Sequence, residues 1–548
     1  MAQSEEAKVI ETANTTEVLT AFSRIPYAML NQEVDGNTQD VLAELTEICK
    51  YYKVYKKGMD FAVEGTNGDY VPATLRYKMA ASLINKEARF LFAESPDITV
   101  DAKGDVGMVS QEAKDQLTNW NDLLKSILDA NLFEKGLLQA AKDCFIGKRV
   151  AGVINFNEED GVTITFLPAT QFLFETRVGN DNVLTKFVCF IVVKDSTTLN
   201  NKRIFKKKYT LQNGVVYLEE RMYDGAGREV GEEEFEPTEE QPTKLERIPA
   251  VIFLNDGLTG DDDGESEIEL LQDYEKYYSK LANGDIDAER KTMNPTRYAV
   301  DMDQRSTQGL SSSAGAFWDL QSDQNLDKPS PSVGMLESSM NYSDALKTSL
   351  DRIKTVGYEQ VDMPNITLET MTGAITSGKA LKAIYWPLIV RCKEKMKMWG
   401  PKLRQMVEII FEGALAYPNT ITKYIDGPLV PVAHEIHVEQ NTPLPEDELE
   451  ERNMDLAEVA AQTMSKKSYM KKWRGLTDDE AQAELEQIAL ERQIIDDNAV
   501  MPQSGDQLPY PGAAKEQLEE QAEEDEEQDD LEQAAEGAVT DIVDGVQE

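Results

Sequence analysis

The segment GAITSGKA, which begins at Gly373, carries three of the residues that a phosphate-binding loop requires. Such a loop has Gly, four further residues, Gly and Lys, followed by a Ser or Thr whose hydroxyl holds Mg²⁺. Gly378 and Lys379 complete the first part of this pattern, but Ala380 stands where the hydroxyl is needed. The preceding run NITLETMT also lacks the continuous apolar character of a buried parallel strand. The pattern therefore favours a loop that leads into a helix capped by Ser377. A nucleotide site is the less favoured interpretation.

The two histidines, His434 and His437, lie three positions apart. On a helix this spacing would let them share a metal ion, but the run VAHEIHVE alternates residue by residue, as a strand does. On a strand the two rings point to opposite faces. We therefore predict surface or interface histidines and no metal site.

Two charged runs have simple structural interpretations. Asp261, Asp262 and Asp263 resemble the start of a calcium loop, but Gln272 occupies the twelfth position, so the run is interpreted as the solvated flank of a helix. The alternation in KRIFKKKY, residues 202–209, predicts an exposed strand face with a solvated or intersubunit role rather than phosphate contact. No Ser/His/Asp or Cys/His arrangement and no GxSxG motif can be assembled, so the sequence predicts no enzyme, cofactor or metal.

The chain is strongly acidic. Its 548 residues include 100 acidic and 56 basic ones, which give a formal net charge of −44. This balance argues against a protein that coats nucleic acid through basic patches. Residues 515–548 alone hold 15 acidic residues, one basic residue and no aromatic one, so we predict a disordered acidic tail over 513–548.

The length predicts two to four structural units, and 41% hydrophobic residues suffice for their cores. The four cysteines form no CxxC pair, which indicates reduced thiols and a cytoplasmic context. We expect neither a secreted nor a membrane-spanning protein, because the first residues lack a signal-peptide pattern and no run of about 18 apolar residues occurs.

The order of periodic segments predicts an α+β chain. Apolar residues recur at helical spacing through most of the first 150 residues, with a stop at Ser95-Pro96-Asp97. From about Lys148 the period changes to two, and the turn signals NEEDG, QNG and DGAG separate the runs. This pattern predicts antiparallel hairpins up to about residue 255.

Two predicted helices then bracket a polar insertion. The first begins with the capping-box spacing of Ser266 and Glu269. Its apolar stripe consists of Leu271, Tyr274, Tyr278 and Leu281. The insertion, residues 291–336, contains two strand candidates, TRYAVDM and GAFWDLQ.

The second helix has an apolar or small stripe made of Leu346, Leu350, Ile353 and Gly357. Lys347 and Lys354 lie seven positions apart and therefore share one face of it. A long helical segment follows the GAITSGKA junction, and we expect Pro387 to kink it and Gly400-Pro401 to break or bend it. Further helices follow residue 441, with a restart marked by Ser465 and Ser468.

This order of elements resembles the portal protein of tailed bacteriophages, in particular the type with long non-contractile tails. The resemblance covers roughly residues 20–500. It is carried by the helix ESEIELLQDYEKYYSKLAN, the polar insertion, the helix SMNYSDALKTSLDRIKTVG, the connector MPNITLETMTGAITSGKALKAIYWPL and the run PLPEDELEERNMDLAEVAAQTMSKKSYMKKW. The SGKALK junction after a loop that contains Pro-Asn is its most specific part.

The resemblance implies a ring of twelve subunits around a DNA channel at one capsid vertex. It divides the chain into a wing (1–255), a first stem helix (256–290), a clip (291–336), a second stem helix (337–361), a tunnel loop (362–377), a kinked helix with wing return (378–440), a helical crown (441–512) and the acidic tail (513–548).

It also implies roles for individual residues. The tunnel loop would project toward DNA through Asn365, Thr367, Thr370, Thr372, Gly373, Thr376, Ser377 and Gly378. We expect Lys347, Lys354 and Lys379 to face the channel.

The implied partners are further copies of the chain, double-stranded DNA, the large terminase, head-completion or tail adaptor proteins, and major capsid and scaffolding proteins, with no membrane. The protein would be made in the host cytoplasm and reside in the virion. Two alternatives stay open: an acidic structural adaptor or scaffold, and a nucleotide-dependent enzyme that uses Gly373 to Lys379.

Overall fold

The computed structural model describes sixteen stretches of the chain: residues 27–34, 38–61, 72–103, 111–194, 202–233, 235–257, 264–293, 296–307, 320–323, 325, 330–336, 342–366, 378–425, 429–441, 448–476 and 478–498. The chain divides into two compact units, Met1–Asp447 and Glu448–Glu548. The architecture is α+β, as the sequence predicts.

The first part of the chain is mainly helical, which confirms the prediction. Its elements are α1 Tyr27–Glu33, α2 Thr38–Lys57, α3 Met79–Phe92, β1 Asp97–Ala102, α4 Gln111–Ala130 and α5 Phe133–Gly147. Helix α3 ends three residues before the predicted stop at Ser95-Pro96-Asp97, because the Ser-Pro pair does not favour continued helical backbone.

The predicted hairpin region forms antiparallel sheets. Its strands are β2 Arg149–Asn157, β3 Gly161–Pro168, β4 Phe172–Arg177, β5 Asn180–Lys194, β6 Lys202–Gln212, β7 Val215–Asp224, β8 Thr238–Pro242 and β9 Ala250–Leu254. One sheet has the order β3-β2-β9 and the other the order β4-β5-β6-β7-β8. The sequence prediction of hairpins is confirmed.

The prediction of an exposed basic strand face is wrong. Strand β6 is the middle strand of the five-stranded sheet, and Lys206 is buried against the carboxylate of Glu33 at the end of α1. Lys207 lies 3.0 Å from Glu220 Oε1 on the neighbouring strand β7. Helix α1 covers this face and supplies the counter-charge, so alternation alone gave the wrong environment.

A single large apolar core connects these elements. It contains residues of α3, α4 and α5 and of strands β2, β3 and β9, with Phe145, Phe253 and Trp399 among the fully buried side chains. A smaller core joins α1 and α2 to the five-stranded sheet. The four cysteines, all within the described residues, are buried thiols that form no disulfide. Burial raises the pKa of the Cys144, Cys189 and Cys392 thiols.

The two predicted helices and their insertion follow. They are α6 Glu267–Met293 and α8 Ser343–Glu359, with β10 Thr296–Val300, the short α7 Gln304–Thr307 and β11 Ser332–Leu336 between them. Strand β10 confirms the TRYAVDM prediction, and it pairs with β11. The predicted strand GAFWDLQ lies mostly outside the described residues.

The long helical segment is divided once. Helix α9 Gly378–Ile384 ends one residue before α10 Trp386–Ala416, with Tyr385 between them and Pro387 in the first turn of α10. The predicted interruption near Pro387 is therefore present. Helix α10 continues through Pro401, so of the expected break or bend at Gly400-Pro401 the break is wrong, and the bend stays a prediction.

Strand β12 His434–Glu439 pairs antiparallel with β1, which confirms the strand prediction for the two histidines. His434 contacts Trp120 and Phe411, whereas His437 is exposed and lies near Asp101. No group of metal-ligating side chains occurs among the described residues.

The second unit consists of α11 Glu448–Ala460, α12 Lys466–Arg474 and α13 Asp478–Asn498. Ser465 Oγ accepts the Ser468 backbone N–H at 3.0 Å, which confirms the predicted helix restart. The predicted acidic tail lies outside the described residues. Within the part of the chain that is described, no helix is long and apolar enough to cross a membrane.

Candidate functional site at the base of the predicted tunnel loop

The predicted site residues fall partly within the described chain. Asn365 is exposed after α8, and Gly378 is the first residue of α9, as expected for the loop-to-helix junction. Lys379 belongs to α9, but its side chain is not among those described. The remaining predicted loop residues lie outside the described residues: Thr367, Thr370, Thr372, Gly373, Thr376 and Ser377.

The two predicted channel-facing lysines lie on α8. Lys347 is exposed, whereas Lys354 is half-buried with its Nζ 5.9 Å from the centre of the Tyr358 ring. Lys86 Nζ donates to the Tyr358 hydroxyl at 2.9 Å and so brings a second ammonium group to this ring. The end of α8 therefore collects positive charge around one aromatic side chain.

Helices α6 and α8 pack against each other, and Gly357 belongs to their contact. A Cβ atom at Gly357 would lie 2.9 Å from Met79 Cε and 4.0 Å from Tyr274 Cβ. The close approach of α3 and α6 thus explains why the predicted stripe of α8 ends in a glycine.

Helix α6 buries polar side chains that the stripe prediction did not include. Leu271 is buried as predicted, but Tyr274, Tyr278 and Leu281 are half-buried. The polar side chains Glu275, Ser279 and Asn283 are at most 3% exposed. They recur every four residues and therefore share one face of the helix.

These side chains bind the backbone of segment 72–80, which leads into the first two residues of α3. Asn283 Oδ1 accepts the Leu75 N–H at 2.8 Å, and its Nδ2 donates to the Leu75 carbonyl at 2.6 Å. Glu275, Ser279 and Asp287 accept from the N–H groups of Ala80, Tyr77 and Ala73. From Ser279 through Asn283 to Asp287, each four-residue step along the helix, about 6 Å, meets a two-residue step of the segment, which spans about 6.6 Å when extended. The contact of Glu275 with Ala80 lies three residues beyond Tyr77. We call this set of contacts the polar ladder.

A buried ion cluster lies at the N-terminal end of α6. Arg391 of α10 donates from Nε to Glu87 of α3 at 2.8 Å and from Nη2 to both oxygens of Glu267 at 2.7 Å. Lys395, one turn further along α10, donates to Glu267 and to Asn255 Oδ1 at 2.6 Å each. Glu87, Glu267 and Lys395 are at most 5% exposed.

The pKa values of the two carboxylates in the ion cluster are shifted in opposite directions. Burial disfavours ionisation of Glu267, but attraction to Lys395 and Arg391 outweighs it and lowers the pKa to about 2. Burial, together with repulsion from Glu267, raises the pKa of Glu87. Glu87 Oε2 is also buried without a hydrogen-bond partner, which agrees with a carboxylate that is poorly stabilised in its charged form.

The ion cluster reaches the first residue of the predicted tunnel loop. Arg391 Nη1 lies 3.6 Å from Asp362 Oδ2, and Asp362 adopts a left-handed backbone with φ of 51°. The following Met363 is buried, and its N–H donates to the Tyr358 carbonyl at 2.9 Å. The same arginine thus contacts α3, the start of α6 and the segment that follows α8.

The sequence contained only a weak signal for the ion cluster. Arg391 and Lys395 lie four positions apart on a helix that is otherwise rich in apolar residues, but their partners Glu87 and Glu267 are 304 and 128 residues distant in sequence. Only tertiary structure brings the four side chains together.

Comparison with protein-family models matches residues 32–497 to the family described as phage portal protein, SPP1 Gp6-like. The match covers most of the chain. The chain belongs to the phage portal family. A comparison with individually curated proteins gave no match.

Family membership assigns this portal chain its function. It is a structural protein of the bacteriophage virion, located at a capsid vertex, and it serves DNA packaging and ejection as the DNA channel and as a docking site. The portal family is structural rather than enzymatic. The ion cluster joins α3, α6, α10 and the segment after α8, and the polar ladder joins α6 to segment 72–80.

Proposed function

We propose that twelve copies of the portal chain form a closed ring whose channel conducts double-stranded DNA. In this proposal α6 and α8 are the stem helices within 256–290 and 337–361, the β10–β11 hairpin belongs to the clip (291–336), and 362–377 is the tunnel loop. Residues 1–255 and 378–440 build the wing, 441–512 the crown and 513–548 an acidic tail.

The observation that supports this arrangement best is the contact of Arg391 with Asp362, in the segment that follows α8. Two packed helices enclose a separate hairpin insertion, and Arg391 joins the start of α6 to the residue that follows α8. A loop that must touch a moving duplex needs a rigid base, because a base that yielded would not transmit force. The charge-assisted contact of the half-buried Arg391 with the buried Glu267 meets that requirement.

The charge balance supports a channel that DNA traverses without being held. Each neutralised phosphate adds a binding term through counterion release, so a lumen rich in lysines would retain the duplex. The net charge of −44 favours repulsion from the walls. We place Lys347, Lys354 and Lys379 among the few cations that face the duplex.

The energy for translocation has to come from a separate motor, the large terminase, which would dock at the clip. Head-completion or tail adaptor proteins would replace it after packaging, and capsid and scaffolding proteins would surround the wing. The chain would be made in the host cytoplasm before assembly into the virion.

Electron microscopy of the purified chain tests the ring directly. We expect closed particles with a central hole of duplex width and twelve-fold symmetry. Monomers or dimers at every salt concentration, also with scaffolding protein present, would contradict the proposal. Rings of another symmetry would preserve the channel and revise the subunit number.

A further inference from the structure

A groove lies between the outer edge of strand β1 and the C-terminal half of α4, and the first residues of α5 close one end of it. It encloses about 530 Å³. Its apolar lining consists mainly of Ile98 of β1, Leu124 and Leu128 of α4, and Leu132 and Phe133 around the start of α5. We call it the β1 groove.

The edge of β1 that faces this groove has an open backbone position. Asn121 Oδ1 accepts the Val100 N–H at 3.0 Å, and Asn121 Nδ2 donates to the Val100 carbonyl at 2.8 Å. These backbone groups therefore point away from β12, and those of Ile98, two residues earlier, point to the same edge. Within the described chain no group bonds to the N–H or the carbonyl of Ile98. Asn121 thus fills one pairing position of the edge and leaves the next one open.

Leu132 places an apolar side chain at the rim of the groove at a conformational cost. It is 65% exposed, and its backbone is left-handed with φ of 48°. This conformation is unfavourable for leucine, whereas asparagine adopts it readily. The isolated chain gains little burial from Leu132, and backbone outliers of this kind cluster at binding sites. The position of Leu132 is therefore a second indication that the groove has an occupant.

The rim of the groove is acidic. Its exposed charged side chains are four carboxylates and two ammonium groups, from Asp97, Asp122, Asp129, Glu134, Lys125 and Lys135. None of the six forms an ion pair within the described part of the chain. The rim therefore attracts cationic side chains. It repels acidic segments such as residues 515–548, which hold 15 acidic residues and one basic residue.

We infer that the β1 groove binds an extended segment of another protein in which apolar and basic residues alternate. One residue of this segment exchanges two backbone hydrogen bonds with Ile98, as the next strand of an antiparallel sheet does. The pairing is short, because Pro96 has no N–H to continue it. The inference does not depend on the proposed ring, since every residue of the groove belongs to one chain.

Side chains supply most of the specificity at so short an edge. From Asn121 to Asp129, α4 advances about 12 Å, which gives room for about four extended residues. Alternate side chains of the bound segment pack on Leu128 and Leu132, and the others reach the carboxylates of the rim. The residue opposite Ile98 directs its side chain to the same face as Ile98, so it is one of the apolar residues.

The test uses the full-length chain and two pools of fluorescent heptapeptides. In the basic pool Lys alternates with Val, Ile, Leu or Phe, and in the acidic pool Glu replaces every Lys. Leu132→Asn removes the apolar side chain from the rim and suits the left-handed backbone, so the variant should fold, which a thermal scan checks. Val178→Asn is the matched control, because Val178 is fully exposed in the turn between β4 and β5.

Fluorescence anisotropy should show saturable binding of the basic pool to wild type and about tenfold weaker binding of the acidic pool, because the rim repels it. Leu132→Asn should weaken binding of the basic pool about tenfold, as expected for the loss of one leucine contact, and Val178→Asn should match wild type. The inference is overturned if wild type shows no saturable binding, if both pools bind equally, or if Leu132→Asn binds as tightly as wild type.

Methylated peptides test the pairing with Ile98. N-methylation at the apolar positions of the basic pool removes the N–H groups that face β1 and should abolish binding. N-methylation at the lysines removes N–H groups on the other edge of the peptide and should leave binding unchanged. Equal affinity of the two methylated pools would contradict strand addition.

Other occupants of the groove are separate outcomes. Binding of a peptide of residues 515–548 that Leu132→Asn abolishes would assign the groove to the tail of the chain itself. Self-association of wild type that Leu132→Asn abolishes and Val178→Asn preserves, measured by sedimentation, would assign it to a second copy. Either result would overturn the inference.

Discussion

Arg391 binds Glu267 through one guanidinium nitrogen that lies 2.7 Å from both carboxylate oxygens. Glu267 is the first residue of α6, so this contact attaches the start of that helix to α10. The same guanidinium also contacts Glu87 and Asp362. Three segments that are remote in sequence thus depend on a single side chain for their relative position.

We predict that Arg391→Met destabilises the fold by about 3–5 kcal/mol, because it leaves two buried carboxylates to a single lysine. The free energy of unfolding, measured by urea titration, checks this value. Arg247→Met is the matched control, because Arg247 also contacts two glutamates, Glu408 and Glu412, but on the surface. The control should cost less than about 1 kcal/mol. Equal losses of stability in the two variants would show that burial does not make the Arg391 contacts more important for stability than surface contacts.

Glu267→Gln should destabilise the protein in a pH-dependent way. The pKa of Glu267 is lowered from 4.5 to about 2, so its ionised form contributes stability that is complete above pH 4.5 and is lost as the pH falls toward 2. The variant should cost about 3 kcal/mol near pH 7 and progressively less below pH 4.5. Unfolding titrations at pH 7 and pH 4 test this, and a cost that does not change with pH would contradict it.

Glu87→Gln should behave differently although Glu87 lies in the same ion cluster. The pKa of Glu87 is raised, so its ionisation opposes folding, and wild-type stability decreases as the pH rises from 4.5 through the raised pKa. Glu87→Gln should therefore lower the free energy of unfolding at pH 7 by less than Glu267→Gln does. The two variants measured side by side provide the comparison, and a larger loss in Glu87→Gln would reverse the assignment of charge within the cluster.

The polar ladder predicts a local effect. Asn283→Ala removes the side-chain partner of the Leu75 N–H and carbonyl, at about 0.5–1.5 kcal/mol for each lost hydrogen bond. Amide hydrogen exchange should accelerate in residues 72–80 before it does so in the core. Lys276→Ala, on the exposed side of the same helix, is the control and should leave this exchange unchanged. Uniform acceleration over the whole chain would mean that the ladder has no separate stability.

Local patterns were sufficient to predict most elements. The change of period at about Lys148 gave the antiparallel sheets, and the Ser465-Ser468 spacing gave the start of α12, because periodicity and capping are properties of short segments. Helix α10 shows the limit of such rules. Burial of Trp399, Leu403 and Met406 in the core holds the helix together across Pro401, whose local preference favours a break.

The sites were less predictable than the elements. The basic strand was misjudged because its counter-charge, Glu33, lies 173 residues before Lys206. The polar ladder was missed because Glu275, Ser279 and Asn283 resemble the solvated face of an amphipathic helix until segment 72–80 covers them. Polar residues at helical spacing do not reveal whether water or backbone satisfies them, so only the fold assigns these roles.

Two glycines of α10 should respond in opposite directions to alanine. A Cβ atom at Gly413 would overlap the ring of Phe156, whereas one at Gly400 would meet nothing within 4 Å. Gly413→Ala should therefore cost about 1–3 kcal/mol through overpacking. Gly400→Ala should be neutral or stabilise by up to about 1 kcal/mol through helix propensity. Thermal denaturation of both variants checks the signs, and destabilisation by both would point to the helix backbone rather than to Phe156.

The proposed tunnel loop predicts a defect in packaging that spares assembly. Gly373→Pro restricts the backbone of the loop and removes one N–H, so the loop should adapt less well to a passing duplex. We expect rings of normal symmetry by electron microscopy together with a reduced fraction of DNA-filled capsids. Gly373→Ala, which adds only a methyl group, is the milder control and should package better than the proline variant. Normal filling in Gly373→Pro would remove the loop from the mechanism, whereas loss of the rings would show that residue 373 supports assembly instead.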